Sequence, residues 1–445
     1  MTLAGWLAAA STAGSAAPPR GGGEGLHAPA TPVAALVRAE LGRVQDAEIE
    51  VFYAARAWRP VWVAHGTVRP EADALIGLLA EAEADGLDPA RYDPRGLTAA
   101  VERARAKATP ETLAAAELAL SRAFAAWVVD LRTPAPGAET VVVDAAAIPE
   151  PRAAAGVLRA AAAAPSLSAH LAEVRRRHPV YEALRDRLAA QRAAGGSARE
   201  EALIRANLER ARTLPANPGR HVLVDAAEQR LHLYEDGRPV DSMKVVVGQA
   251  RLPTPMLAGV IRYAVFDPYW NMPPDLVREQ VARDVLRFGP EIVEARGLEV
   301  LSDWTPRARP LDAAAVDWAA VAAGTQALRV RQRPGPNNTM GRVKFMLPND
   351  LGIYLHDTPD KAAFGRGVRT LSAGCVRVED PDRLARWLFG GEPPSGYGWE
   401  RREDLPRPVP VYITYLTAAE GLRLRRDVYG RDPGLLAALG PVAVG

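Results

Sequence analysis

One cysteine, Cys375, stands in a chain of 445 residues. That scarcity excludes an intramolecular disulfide framework, and no Cys/His group has the spacing of a zinc site. Charge of one sign is also missing. The formal net charge is +2, and no block of Lys or Arg stands out. A dedicated nucleic-acid binder would need concentrated phosphate contacts, so that class is disfavoured. Lysine is scarce beside arginine, and no run reads as long and apolar enough to cross a bilayer. A lone cysteine taken by itself reads as a small buried hydrophobe. Only its surroundings can make it a nucleophile.

What is present is length and apolar content. With 48% hydrophobic residues, the chain can fill more than one core, so two domains are expected, with room for a third. Residues 1–17 (MTLAGWLAAASTAGSAA) are small and apolar and end in an A-x-A-like stretch, which reads as an export signal lacking its basic n-region. Pro, Gly and Ala then make a flexible linker to about residue 30. Helical periodicity dominates from 31 to 194, as at Ala72, Leu75, Ile76 and Leu79. Asp88-Pro89 and Thr109-Pro110 are helix starts. Gly195-Gly196-Ser197 reads as a hinge, followed to about 218 by a connecting helix.

From residue 219 the period changes to that of strands: His221 to Asp225, Arg230 to Tyr234, Met243 to Gly248, Ile261 to Phe266, Gly341 to Met346, Gly352 to His356 and Pro408 to Tyr415. Residues of about 273–335 interrupt this series and are long enough to form a capping subdomain. The fold class expected is multidomain α+β: an N-terminal all-α scaffold domain, then a mainly-β domain over 219–417 with the inserted cap. Residues 418–445 make a C-terminal extension.

Three segments concentrate chemistry: DPYWNMPP (267–274), YLHDTP (354–359) and LSAGCVRV (371–378). A thiol attacks a carbonyl only as thiolate, so it needs a nearby base or cation. An imidazole can take the thiol proton and later protonate a leaving amine. Backbone N–H groups at a glycine turn can hold an oxyanion, and a guanidinium can recognise a carboxylate. His356, Cys375, Gly374 and Arg377 supply these types. The other histidines lie on strands without a partner motif, in the linker or in the helical half, and carry no assigned role.

YLHDTP and LSAGCVRVED, with His and Cys 19 residues apart (375 − 356), resemble the active-site signature of the L,D-transpeptidases (the YkuD-type catalytic domain). VVVGQARLPTP, DPYWNMPPDL, RPGPNNTMGRVKFMLPND and the final RRDVYGRD extend the resemblance over roughly 204–432. FYAARAWRPVWV and GLDPARYDP resemble the helical scaffold of the large periplasmic subgroup. Two departures stand out. Ala373 occupies a position where many relatives carry histidine, which the large subgroup tolerates. The helical peptidoglycan-binding module usual in large relatives has only the segment near 193–200 in its place.

The resemblance implies Cys375 as nucleophile, His356 as acid and base, the backbone carbonyl of Asp357 as its orienting group, and the Gly374 and Cys375 N–H groups as oxyanion donors. Arg377 and Ser372 would position substrate or brace the loop, and Tyr354 and Trp270 would wall the pocket. The implied reaction joins peptidoglycan stem peptides by 3→3 cross-links in the periplasm, without metal or cofactor. A D,D-carboxypeptidase that trims stems to tetrapeptides is the implied partner, and carbapenems are expected to acylate Cys375. A carboxypeptidase or endopeptidase hydrolysing the same acyl-enzyme, or a non-catalytic wall scaffold, are the alternatives.

Overall fold

A computed structural model describes residues 30–44, 46–394, 398–418 and 424–440; the expected export signal and most of its linker lie outside them. The helical half has its own core, running from Ala34 to Val174 and including Trp62, Phe124 and Trp127. Its central helix, Pro110–Arg132, is 23 residues long and starts with the Thr109 cap and Pro110 that the sequence announces. By length and composition this helix could cross a bilayer, which corrects the expectation that no such run exists. Its apolar residues are spread around the axis because the other helices surround it, so core burial explains the composition. Within it, the buried Glu117 carboxylate accepts N–H groups of Val61, Trp62 and Val63 at 2.6, 2.8 and 3.0 Å and the Tyr53 hydroxyl at 2.5 Å. One side chain thus satisfies the turn of the Trp58–Val63 segment.

The β half is a ten-stranded sheet. Strand Leu257–Phe266 pairs both with Arg401–Thr414 and with Val343–Met346. That double pairing closes eight strands into a barrel around Val222, Leu231, Val245, Phe345, Leu355, Val376 and Ile413. Alternation then sends the intervening residues outward. One part of the outer wall (Leu223, Tyr234, Ala258, Tyr412) is covered by helices Pro179–Ala193 and Ala198–Ala211.

That packing corrects two expectations. The scaffold core ends at Val174, and the segment read as a hinge belongs to a helix pair sealed onto the barrel. Arg212, fully buried, bonds Glu209, the Tyr181 hydroxyl and the Asp85 carbonyl at 2.7, 3.1 and 2.8 Å, tying helix pair to helical half. The helical half is also not wholly helical. It contains a short hairpin, Val63–Ala64 with Thr67–Val68, and its Val141–Val142 strand joins the barrel strand Leu257–Phe266 in parallel. The cap is a four-stranded sheet with short helices around Val277, Val281, Val300 and Val330, and it starts at strand Trp270–Asn271. The extension after 418 is integral: Leu435 of helix Asp432–Leu439 packs on Ala206 and Ala138.

Where the helix pair meets the barrel, two fully buried histidines touch at 3.0 Å, Nε2 to Nε2. Val180 N–H donates to His178 Nδ1, so the His178 proton sits on Nε2 and is donated to His221. His221 in turn donates from Nδ1 to the Gly219 carbonyl at 2.9 Å. Both rings are therefore neutral, and a proton added to either would oppose an existing N–H donor. Burial pushes His221 down to about 4 and holds His178 well below the ordinary histidine value. Between about pH 6.5 and 4 the unfolded chain binds protons here that the folded chain refuses, so stability rises with pH across that window. The thermal midpoint should fall as pH is lowered from 7 to 4.5, and His221→Leu should flatten that slope. Equal slopes in scanning calorimetry of both proteins would refute the assignment.

Candidate active site

The strand Leu355–His356 runs parallel to Val376–Val378, with Leu355 opposite Val376 and His356 opposite Arg377. Leu355 and Val376 point into the barrel core. His356 and Arg377 therefore share the outer face, and the two-residue period adds Tyr354 and Cys375 to it. Lys344 on the neighbouring strand lies directly opposite His356, and Val246 lies opposite Arg377. One row across the sheet thus reads Lys344, His356, Arg377. The adjacent row reads Met346, Tyr354, Cys375.

His356 is 2% exposed, and its Nδ1 donates to the Asp357 carbonyl at 2.5 Å. A carbonyl can only accept, so the Nδ1 proton is fixed and Nε2 keeps its lone pair. Asp357 is held by its own side chain, which accepts from Arg342 N–H at 2.8 Å and from Lys361 Nζ at 2.6 Å. The Tyr354 ring stands edge-on to the imidazole at 6.0 Å.

Cys375 follows Gly374, whose φ of +119° is a conformation that side chains rarely adopt. A Cβ there would also meet Ile353 at 3.1 Å. Around this turn Ser372 Oγ donates to the Cys375 carbonyl at 2.6 Å and accepts from Gly374 N–H at 3.2 Å. Ser372 is buried and braces the loop. The Gly374 N–H expected in the oxyanion hole is therefore already engaged, because the turn folds it back onto Ser372. The Cys375 N–H has no hydrogen-bond partner among the described residues and remains available.

The thiol donates to the Gly352 carbonyl at 3.2 Å, not to His356. Burial pushes it up to about 11, against the opposing pull of the Tyr354 backbone and the Arg377 charge. Burial, then the nearby Arg377, pushes His356 down to about 4. Thiol and imidazole are thus both uncharged at neutral pH in this state. Reaction requires the thiol to leave Gly352 and pass its proton to Nε2. A groove of about 810 Å³ opens beside Gly352 and Tyr354, walled by Tyr263, Met346, Leu351 and the exposed Val141 and Val142.

Trp270 does not join this face. It pairs with Gln332 in the cap sheet and packs against the cap core, because the cap begins at its strand. Three supporting residues lay outside the sequence-derived set. Thr254 Oγ1, fully buried, donates to the Gly374 carbonyl at 2.7 Å and accepts from Gly248 N–H at 2.8 Å. The Tyr429 hydroxyl donates to the Gly248 carbonyl at 2.8 Å. Both sit in stretches that carried the family resemblance, but no local pattern singles them out. Lys344 is the third. No group of three or more His, Cys, Asp or Glu able to hold a metal occurs among the described residues.

The barrel's outer face thus carries a glycine-turn cysteine and a carbonyl-bound histidine on adjacent rows, and a helical half precedes it. Residues 219–409 match the L,D-transpeptidase catalytic domain and residues 47–188 match a scaffold domain. The chain carries an L,D-transpeptidase catalytic domain preceded by a scaffold domain. It is 29% identical over 242 residues to a Haemophilus influenzae protein named provisionally as an L,D-transpeptidase, covering 51% of this chain and 47% of that one. The chain thus spans about half the length of that relative. An L,D-transpeptidase from Mycobacterium smegmatis aligns at 15% identity and a TM-score of 0.22, over 44% of this chain and 59% of the other. A cysteine-to-serine variant of an Enterococcus faecium L,D-transpeptidase aligns at 14% identity and a TM-score of 0.21, over 45% and 52%.

Two outcomes test the geometry. A thiol titrating near 11 should be alkylated by iodoacetamide at a rate rising roughly tenfold per pH unit between pH 7 and 9; a plateau in that range would contradict the neutral pair. Thr254→Val leaves the Gly374 carbonyl and the Gly248 N–H unpaired, and should cost about 1–3 kcal/mol in denaturant unfolding. A loss below the error of that measurement would remove Thr254 from the loop's support.

Proposed function

We propose that the chain is a periplasmic peptidoglycan L,D-transpeptidase that forms 3→3 cross-links through an acyl group carried on Cys375. The observation behind this reading is the register that places Cys375, His356 and Arg377 on one outer face, with Nε2 of His356 left as the free base. Cys375 passes its proton to His356 Nε2, and the sulfur attacks the carbonyl of the diaminopimelate L-centre in a tetrapeptide stem. The Cys375 N–H stabilises the oxyanion. The tetrahedral intermediate breaks its C–N bond, and His356 returns the proton to the departing D-Ala amine. The side-chain amine of a second stem then gives a proton to His356 and attacks the thioester. The thiolate leaves and recovers that proton from His356, closing the cycle.

Arg377 would hold the acyl donor, and Tyr354 and the groove beside it would line its path. A D,D-carboxypeptidase would supply the tetrapeptide stems, and carbapenems would acylate the same sulfur. The protein incubated with disaccharide-tetrapeptide should release D-Ala and yield cross-linked dimer, detected by mass spectrometry. Cys375→Ala should lower turnover by about 1,000-fold or more, and meropenem should add its mass to the wild-type protein only. Tripeptide without dimer would replace the transferase by a hydrolase. Unconsumed stem peptide and an unmodified thiol would end the reading.

A further inference from the structure

Only four of the 55 basic residues are lysine, and three of them, Lys244, Lys344 and Lys361, surround the candidate active face. Two have evident structural duties. Lys361 Nζ holds the Asp357 carboxylate at 2.6 Å, and Lys244 Nζ bonds the Phe364 carbonyl at 3.2 Å and faces Glu379. Lys344 differs. Its backbone lies directly opposite His356 in the antiparallel ladder, so its Cβ is about 5 Å from that of the histidine on the same face. Its ammonium has no hydrogen bond or ion pair among the described residues. Glu400, the carboxylate that acts on it, is exposed and accepts from Tyr269 N–H at 2.7 Å.

Arg377, on the other side of His356, is in the same condition. Its guanidinium makes no hydrogen bond among the described residues, and its Nε is buried and unpaired. The carboxylate that acts on it, Asp360, lies on the exposed rim. Two partly buried cations thus flank a neutral histidine with no protein anion between them. Cations held half out of water without a partner are costly. A row of this kind is complete only when a ligand brings the negative charge.

We propose that Lys344 and Arg377 form a two-cation seat across His356 that binds a carboxylate of the acyl donor, with Lys344 as a binding residue for that group. Lysine suits the position because it is a compact point charge beside the imidazole, whereas Arg377 offers a planar fork from the opposite side. The seat would orient a stem peptide by one of its carboxylates while the neighbouring row, with Cys375, meets the carbonyl. This deepens the transpeptidase reading, since it supplies the donor's recognition, yet it can be tested on the thiol alone.

Iodoacetate and iodoacetamide alkylate the same sulfur and differ in a carboxylate. At pH 8.5 and low salt, the ratio of the iodoacetate rate to the iodoacetamide rate at Cys375 should exceed that of N-acetylcysteine by about fivefold or more, and shrink as salt is added. Lys344→Met should lower the ratio by about threefold or more, with iodoacetamide reactivity retained, while Lys344→Arg should keep most of it. A wild-type ratio equal to that of N-acetylcysteine would overturn the proposal without any variant. So would a folded Lys344→Met protein with an unchanged ratio. Donor stems amidated at either the diaminopimelate or the D-Ala carboxylate then show, by a raised KM, which group occupies the seat. Absence of turnover with a preserved ratio would count against the transpeptidase reading and leave the seat standing.

Discussion

A parallel pairing between two very short strands governs the whole site. Leu355 opposite Val376 and His356 opposite Arg377 is the register that keeps two apolar side chains in the barrel and four reactive ones outside it. Because side chains alternate with a period of two, a slip of one residue would turn reactive side chains into the barrel core and apolar ones out of it. The apolar partners are fully buried, so the core itself enforces the register. Gly374 makes the approach possible by turning the chain at a φ open to glycine, and Ser372 and Thr254 hold that turn from two sides.

The electrostatics follow from the same placement. The imidazole is buried next to the Arg377 guanidinium and near Lys344, so charging it is opposed twice, by desolvation and by like charge. The thiol is crowded enough that its anion is disfavoured as well. The pair is thus held uncharged until something new enters, in contrast to an enzyme whose thiolate stands ready at neutral pH. An incoming anion would relieve the positive row and make a protonated histidine easier to form. Substrate binding and activation of the nucleophile are then coupled by charge alone.

Much of this was legible in the sequence, and for definite reasons. The change of period near residue 219, the cap interrupting the strands, and the Pro-initiated helices are local patterns, and local patterns survive in a linear reading. Cys375 and His356 could be paired from the sequence because motif and spacing lie within 19 residues. What escaped was long-range. Thr254 supports Gly374 from 120 residues away, and Lys344 meets His356 only through strand pairing. Gly374 was placed in the oxyanion hole because its N–H is near the thiol in sequence, and only the folded turn reveals that Ser372 takes it. The helix Pro110–Arg132 and the supposed hinge were misread for one reason: burial among neighbours, invisible in one dimension, decides what an apolar helix or a glycine pair means.

The small strand Val141–Val142 carries a consequence for how the molecule comes to be. It leaves the helical half, joins the barrel strand Leu257–Phe266 in parallel, and ends in a wall of the groove beside the thiol. Its hydrogen bonds close a loop of more than a hundred residues, a long-range closure whose entropy must be repaid by packing in both halves. The two halves match separate domain families, yet this seam pairs them at a wall of the groove. Transplanting the catalytic half onto another carrier would therefore leave Leu257 and Ala258 without their parallel partner and the groove with a missing wall. The modularity written in the sequence families is not the modularity of the folded protein.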